Sequence, residues 1–270
     1  MDSYRGWGSR GRIAAGELHI EVDTFGPTPA QAPTLIFLHE GLGSISLWKD
    51  FPRQLAERTG LGGLTYSRRG YGASDPAVLP REVSYMHDEA PALAALLALL
   101  AIDRPVLLGH SDGGSIALLY AGAALRPAPL ALVLEAPHVF VEDLTVVSIA
   151  RAKADQATIA PRLQKHHELP AEHVFTGWAD IWLLPAFRAW NIEASLPIVT
   201  APTLVVQGAE DAYGTWAQVD AIAQQVNGPL QVARIEACGH SPHKDQPVEV
   251  LDVMTEFLRS HVARTPATPR

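Results

Sequence analysis

The chain predicts an α/β fold: a mostly parallel sheet with helices on both faces and one helical insertion. Three observations carry that prediction. Short apolar runs alternate with longer segments of helical spacing along most of the 270 residues, the pattern of successive strand–helix units in a parallel sheet. Residues 18–25 alternate apolar and polar side chains, as an antiparallel strand at the start of such a sheet would. From Val139 to about Leu196 the rhythm breaks, and helical stretches run on with no convincing strand between them.

The predicted buried strands are residues 34–39, 63–67, 105–109, 130–135, 203–207 and 230–235. Each is short, mostly apolar and bounded by Gly, Pro or a polar residue, which is how strands covered on both faces read. Residues 85–101, 112–124, 215–226 and 247–263 have helical length and apolar spacing. The interruption divides the chain into a core, 1–138 and 197–270, and an inserted helical cap, 139–196, punctuated by Pro161, Pro170 and Pro185. Trp178, Trp182 and Trp190 lie in the insert, half of the chain's six tryptophans. Any one of them could simply pack the insert down, but a long excursion from a compact domain more often covers a pocket. The tail, residues 265–270, reads as a frayed end.

Composition excludes several classes. At 47% hydrophobic and 19% charged the chain is an ordinary globular protein. A net charge of −8 argues against a nucleic-acid binder, which would carry a basic patch. The lone Cys238 rules out an intrachain disulfide and reads as a small buried residue. The stretch MDSYRGWGSRGRIAAG lacks the apolar segment of a secretory signal. The longest apolar run, within residues 90–102, is too short for a bilayer and contains Pro91. A cytoplasmic protein acting on a small molecule, with no membrane or nucleic-acid partner, is the expectation.

The chemistry starts at VLLGHSDGGSIALLYA, residues 106–121. A β-type run meets Gly109-His110-Ser111-Asp112-Gly113 and a helical pattern follows at once, which is G-x-S-x-G in its confirming strand–helix context. Side chains at Gly109 and Gly113 would crowd a turn sharp enough to expose Ser111. Ser111 then sits at a helix N-terminus, where unpaired N–H groups favour developing negative charge. The rival is a serine that only caps the helix. A serine needs a base, and the base needs an acid to orient it. TLVVQGAEDAYG offers Glu210 and Asp211 after a strand, and ARIEACGHSPHKDQP offers His240 and His243. The order serine, acid, histidine is that of the α/β-hydrolases.

With these pieces the chain resembles the α/β-hydrolase superfamily, and within it capped, single-domain esterases, lactonases and carbon–carbon hydrolases. The resemblance runs from about Leu18 to Leu258 and rests on FLHEGLGS, YSRRGYGASD, GHSDGG, QGAEDAYG and CGHSPHKDQP. It implies an eight-stranded sheet and a triad of Ser111, Asp211 and His240, since the family's acid follows Gly-x-x and its histidine follows Gly. Glu210 remains the alternative acid, and His243 reads as a solvated or helix-capping residue. The resemblance also implies an oxyanion hole from the N–H groups of Asp112, the residue after the nucleophile, and of Gly41, with Leu42 the neighbouring candidate. No cofactor is implied, and no histidine cluster has the spacing of a metal site.

FLHEGLGS places a carboxylate, Glu40, where relatives often have glycine. A carboxylate pointing into the site would oppose an oxyanion, so Glu40 is expected to turn away and pair with Arg68 or Arg69. Its rival is a pocket-facing Glu40 that selects neutral or cationic substrates. His39 and His110 fall inside family turns and read as structural, His166 and His167 as solvated residues of the cap. His138 follows a strand whose C-terminal end faces the ligand crevice of open α/β sheets, which makes it a substrate-contact candidate or a hinge. Trp178 and Trp182 are further candidates.

Three functions compete. The first is hydrolysis of an ester or lactone of an apolar or aromatic substrate through an acyl-enzyme on Ser111. The second is cleavage of a carbon–carbon bond in an aromatic ring-cleavage product. Arg188 in AFRAWN resembles the cap arginine that those enzymes use for a substrate carboxylate, although a solvated charge explains it as well. Such enzymes typically have Asn before the serine, where this chain has His110, which favours the ester. The third is a ligand receptor without turnover, disfavoured because no triad member is missing. Dehalogenase chemistry needs a carboxylate nucleophile, which Ser111 does not supply.

Overall fold

In the computed structural model, which describes residues 2–262, eight strands form one sheet in the order β1-β2-β4-β3-β5-β6-β7-β8. They are β1 (Arg10–Ala15), β2 (Leu18–Phe25), β3 (Thr34–Leu38), β4 (Gly62–Ser67), β5 (Pro105–His110), β6 (Leu132–Glu135), β7 (Thr203–Gly208) and β8 (Leu230–Ile235). β1 and β2 run antiparallel to their neighbours, and β3 to β8 run parallel. The mostly parallel sheet and the antiparallel start match the sequence expectation. β1, with its Arg-Gly-Arg opening, lacks the apolar pattern that marks the other strands.

The helices are α1 (Phe51–Thr59), α2 (Tyr85–Leu99), α3 (Asp112–Gly122), α4 (Asp143–Ala154), α5 (Gln156–Leu163), α6 (Ala171–Leu183), α7 (Trp216–Gln225), α8 (Pro242–Asp245) and α9 (Pro247–His261). The region 265–270, expected to be frayed, lies outside the described residues.

Two cores explain why the central strands read as unbroken apolar runs. Side chains alternate faces along a strand. Leu35 and Phe37 of β3, with Val106 and Leu108 of β5, pack on Leu55 of α1 and on Met254 and Phe257 of α9. Ile36 and Leu38, with Leu107 of β5 and Leu134 of β6, face the opposite layer, built on Met86 and Leu93 of α2, α3 and Ile222 of α7. All of α3 is buried, and from Ile116 onward its residues are apolar, aromatic or glycine around the whole circumference. β8 departs from the expectation: it is an edge strand, only Ile235 is buried, and Val232 stays exposed.

The insertion leaves after β6 and returns before β7. Phe140 and Asn191 form an antiparallel bridge at its neck, and Ile192 N–H donates to the Val139 carbonyl at 2.8 Å. Between these points lie α4, α5 and α6 and a short turn of helix, Pro185–Ala189. Pro161 falls inside α5, Pro170 precedes α6, and Pro185 opens that short turn.

Candidate active site

The parallel strands end at one edge of the sheet, and the turns beyond β3, β4, β5, β6, β7 and β8 supply the site. The turn after β5 is sharp. Ser111 has φ 53° and ψ −118°, a strained conformation for a residue with a side chain. A Cβ on Gly113 would overlap the Leu38 carbonyl, and one on Gly109 the Gly113 carbonyl, so the motif's glycines allow β3, β5 and α3 to converge. Ser111 N–H is anchored to the Glu135 carbonyl at 2.9 Å. Its hydroxyl makes no capping bond to α3; it donates to His240 Nε2 at 2.9 Å.

His240 Nδ1 donates to Asp211 at 2.8 Å to Oδ2 and 2.9 Å to Oδ1. Asp211 also accepts from Tyr213 N–H at 2.7 Å and from Gln207 Nε2 at 2.8 Å. Burial would raise the Asp211 carboxyl, but the hydrogen bond and charge of His240 and the Tyr213 N–H outweigh it and hold the group below its ordinary value. The structure thus joins Ser111, His240 and Asp211 in one hydrogen-bonded chain, with Glu210 exposed beside it.

A cavity of about 210 Å³ opens over Ser111, bordered by Gly41, Asp112, His138, Trp178, Trp182 and Tyr213 among others. Among the described residues no lysine or arginine lines it. His138 packs its ring 5.2 Å from Trp182 and 5.5 Å from His240. Burial, with the nearby His240, pulls its pKa down to about 3, so it stays neutral. The cavity therefore holds three of the four substrate-contact candidates: His138, Trp178 and Trp182. Arg188 is not among them. Its side chain is 44% exposed and paired with Asp143 at the start of α4, and neither residue borders the cavity.

The turn after β3 corrects a second expectation. Glu40 pairs with neither arginine, and it borders the cavity, on the side the rival reading gave it. Its Oε1 lies 3.2 Å from Lys244 Nζ, and its Oε2 faces His110 Nδ1 at 3.6 Å. Burial would raise this carboxyl, but Lys244 and then His110 keep it well below its ordinary value. Arg69 donates to the Pro76 carbonyl. Arg68, wholly buried, reaches the turn's backbone with its side chain, Nη2 donating to the carbonyls of His39 at 3.3 Å and Glu40 at 3.0 Å. It also sits 3.6 Å from Asp112 Oδ2, which accepts from the Tyr85 hydroxyl at 2.9 Å.

The other histidines are more engaged than the sequence suggested. His39 accepts from Arg68 N–H at 3.0 Å through Nε2 and donates to the Glu40 carbonyl through Nδ1 at 2.7 Å. Burial, then the charge of Arg68, holds it well below its ordinary value. His167, expected to be solvated, is buried between two core loops: Nδ1 accepts from Gly72 N–H at 2.9 Å and Nε2 donates to the Leu42 carbonyl at 3.1 Å. Burial brings it to about 4. His166 Nδ1 bonds Ser46 Oγ at 2.8 Å. His243, expected to be solvated or capping, is buried against Trp48 and bonds Glu135 at 2.6 Å. Thr145, Ile149 and Tyr213 of the cavity wall were not singled out in the sequence; only Tyr213, two residues past Asp211, carried a positional signal. Among the described residues no group of three or more His, Cys, Asp or Glu is placed to hold a metal, and no helix is long and apolar enough to cross a membrane.

The chain belongs to the alpha/beta hydrolase family, whose model matches residues 35–253. It is similar to a putative carbamate hydrolase of Variovorax paradoxus, 29% identical over 272 residues, with 93% of this chain and 97% of that one covered. Among solved structures it is similar to a thermophilic esterase from Thermogutta terrifontis, with TM-score 0.70, 21% identity, and 94% and 100% of the two chains covered. It is also similar to 2-hydroxy-6-oxo-6-phenylhexa-2,4-dienoate hydrolase from Rhodococcus sp. strain RHA1, with TM-score 0.71, 16% identity, and 93% and 98% covered. These two structures speak for the fold.

Proposed function

We propose that the protein is a serine hydrolase that cleaves a small, uncharged carboxylic ester or lactone through an acyl-enzyme on Ser111. The observation that carries this reading is the chain Ser111 Oγ, His240, Asp211, at 2.9 Å and 2.8 Å, under a cavity. His240 Nε2 accepts the Ser111 proton as Oγ attacks the substrate carbonyl carbon, and Asp211 stabilises the imidazolium. The N–H groups of Gly41 and Asp112 receive the oxyanion. The imidazolium then gives its proton to the departing alkoxide, leaving the acyl group on Ser111. A water, deprotonated by His240, attacks that acyl group, and Ser111 leaves with the proton. Helices α4 to α6 act as a cap that carries Trp178 and Trp182 over the nucleophile.

Cavity size and charge narrow the substrate. About 210 Å³ is below the roughly 300–1,000 Å³ of pockets for drug-sized ligands, so the acyl part is short. With no lysine or arginine among the described residues of the wall, and the carboxylate of Glu40 bordering it, a substrate carboxylate would lose hydration without gaining a cationic side chain. That disfavours the carboxylate-bearing ring-cleavage products named for the Rhodococcus enzyme, since Arg188 is tied to Asp143. Carbamates, named for the Variovorax relative, present a similar carbonyl to the same nucleophile and belong in the same screen.

The test is labelling by a fluorophosphonate probe. Wild type is expected to label and Ser111→Ala not; a folded wild type that stays unlabelled ends the serine reading. Turnover of short neutral aryl esters, carbamates and dienoates then ranks the bond types.

A further inference from the structure

The Glu40 carbonyl accepts three hydrogen bonds: from His39 Nδ1 at 2.7 Å, from Gly43 N–H at 3.0 Å and from Arg68 Nη2 at 3.0 Å. The Glu40–Gly41 peptide is not among the cis bonds of the described residues. In a trans peptide the N–H points opposite to the C=O. Fixing the Glu40 oxygen therefore fixes the direction of the Gly41 N–H, and three donors on that oxygen strengthen the N–H as a donor by polarising the amide. Among the described residues neither Gly41 N–H nor Asp112 N–H has an acceptor within the protein, and both residues border the cavity.

The same Nη2 atom lies 3.6 Å from Asp112 Oδ2. Asp112 is 1% exposed, so its carboxyl group is buried, one residue from the nucleophile. Unpaired, it would oppose any negative charge forming at Ser111. The Tyr85 hydroxyl holds the same oxygen at 2.9 Å and accepts in turn from Trp182 Nε1 at 3.1 Å. One guanidinium thus spans the two turns that meet at the nucleophile.

We propose that Arg68 is the positioning residue of the oxyanion hole: it aims the Gly41 N–H through the Glu40 carbonyl and neutralises the Asp112 carboxylate beside the second donor. It touches no substrate. The proposal rests on the serine-hydrolase reading. Within that reading it assigns to Arg68 a specific burden, stabilisation of the transition state with little effect on substrate binding.

The experiment compares wild type, Arg68→Met, Arg68→Lys and the double variant Arg68→Met/Asp112→Asn on a short neutral aryl ester. A trifluoromethyl ketone of matching shape serves as a transition-state mimic. Arg68→Met is expected to lower kcat roughly 10²–10³-fold, the loss typical of one missing oxyanion donor, with KM within about threefold. Affinity for the ketone falls in parallel. Arg68→Lys, which keeps the charge and loses the fork, falls between. The double variant recovers at least fivefold in kcat over Arg68→Met, because no buried carboxylate is left unpaired. If Arg68→Met does not fold, the double variant, free of an unpaired buried charge, still shows the kcat loss due to the Glu40 carbonyl. Wild-type kcat in folded variants, a loss confined to KM, or a double variant no better than Arg68→Met would each overturn the proposal while wild type still labels with fluorophosphonate. An unlabelled wild type would overturn the serine reading and this proposal together.

Discussion

Trp178 of α6 lies so close to Gly41 that a Cβ atom there would overlap the indole Cδ1 and Nε1. The insert thereby presses on the turn that holds one of the proposed oxyanion donors. Gly41 is needed for close approach rather than for an unusual backbone angle, since it is not among the glycines with positive φ. Gly41→Ala is expected to displace either the turn or Trp178 and to lower kcat roughly 10²-fold, as loss of one oxyanion donor does. Adding Trp178→Ala makes room for the methyl group and restores part of the rate. Unchanged kcat in Gly41→Ala would separate the turn from the chemistry.

The acid is the next point to test. Asp211→Asn leaves the imidazole without the carboxylate that fixes its tautomer, and kcat is expected to fall roughly 10³–10⁴-fold. Glu210→Gln stays within about twofold of wild type on the same substrate, as an exposed side chain outside the hydrogen-bonded chain. A comparable loss in both variants would reopen the choice between the two carboxylates.

Acid sensitivity follows from buried histidines, of which His167 and His138 are two. His167 has its pKa lowered to about 4 and His138 to about 3, mainly by burial, against about 6.5 in the unfolded chain. Each folded value is depressed, so below about 6.5 the unfolded state binds the proton and the folded state does not. Stability is then complete above that pH and declines as pH falls, until about 4 for His167 and about 3 for His138, with a slope near 1.4 kcal/mol per pH unit for each uncompensated proton. Depressed Asp211 adds to the loss below its unfolded value. In urea melts, His167→Gln is expected to be less stable than wild type at pH 7.5, and the gap to narrow by pH 5. A gap of constant size would show that His167 does not titrate on unfolding.

Arg188 and Asp143 form a solvent-exposed pair, the kind worth about 0–1 kcal/mol. Arg188→Ala is expected to leave kcat/KM for neutral esters unchanged and thermal stability nearly so. A hemisuccinate ester is turned over at least tenfold more slowly than its neutral isostere, in wild type and variant alike. A selective loss of the acidic substrate in Arg188→Ala would put the arginine back in the site.

Much of the site was legible because it depends on local geometry. The elbow at Ser111 needs glycines on either side at fixed offsets, and strand ends mark where Asp211 and His240 emerge. Glu40 was harder. Its unusual place in the turn was visible, yet its partner Lys244 is 204 residues away. Lysine, arginine and glutamate have long rotatable side chains that reach several neighbours, so a sequence pattern does not choose among them. The expected bracing by Arg68 is present, but on the Glu40 backbone carbonyl rather than its carboxylate.

The histidines divide along the same line. The position of His240 after Gly239 singled it out, whereas the burial of His167 and His243 depends on which loops close over them. Likewise, β8 reads as a mostly apolar run, yet it lies at an edge of the sheet and only Ile235 of it is buried. The sequence by itself determined the alternating architecture, the inserted helices and the order of serine, acid and histidine, since periodicity and tight turns are encoded by near neighbours. Only the tertiary structure decided that one buried arginine spans both turns at Ser111 and that a tryptophan bears on Gly41. Those contacts exist once distant segments share one space, where burial forces each charge and each carbonyl to find a partner.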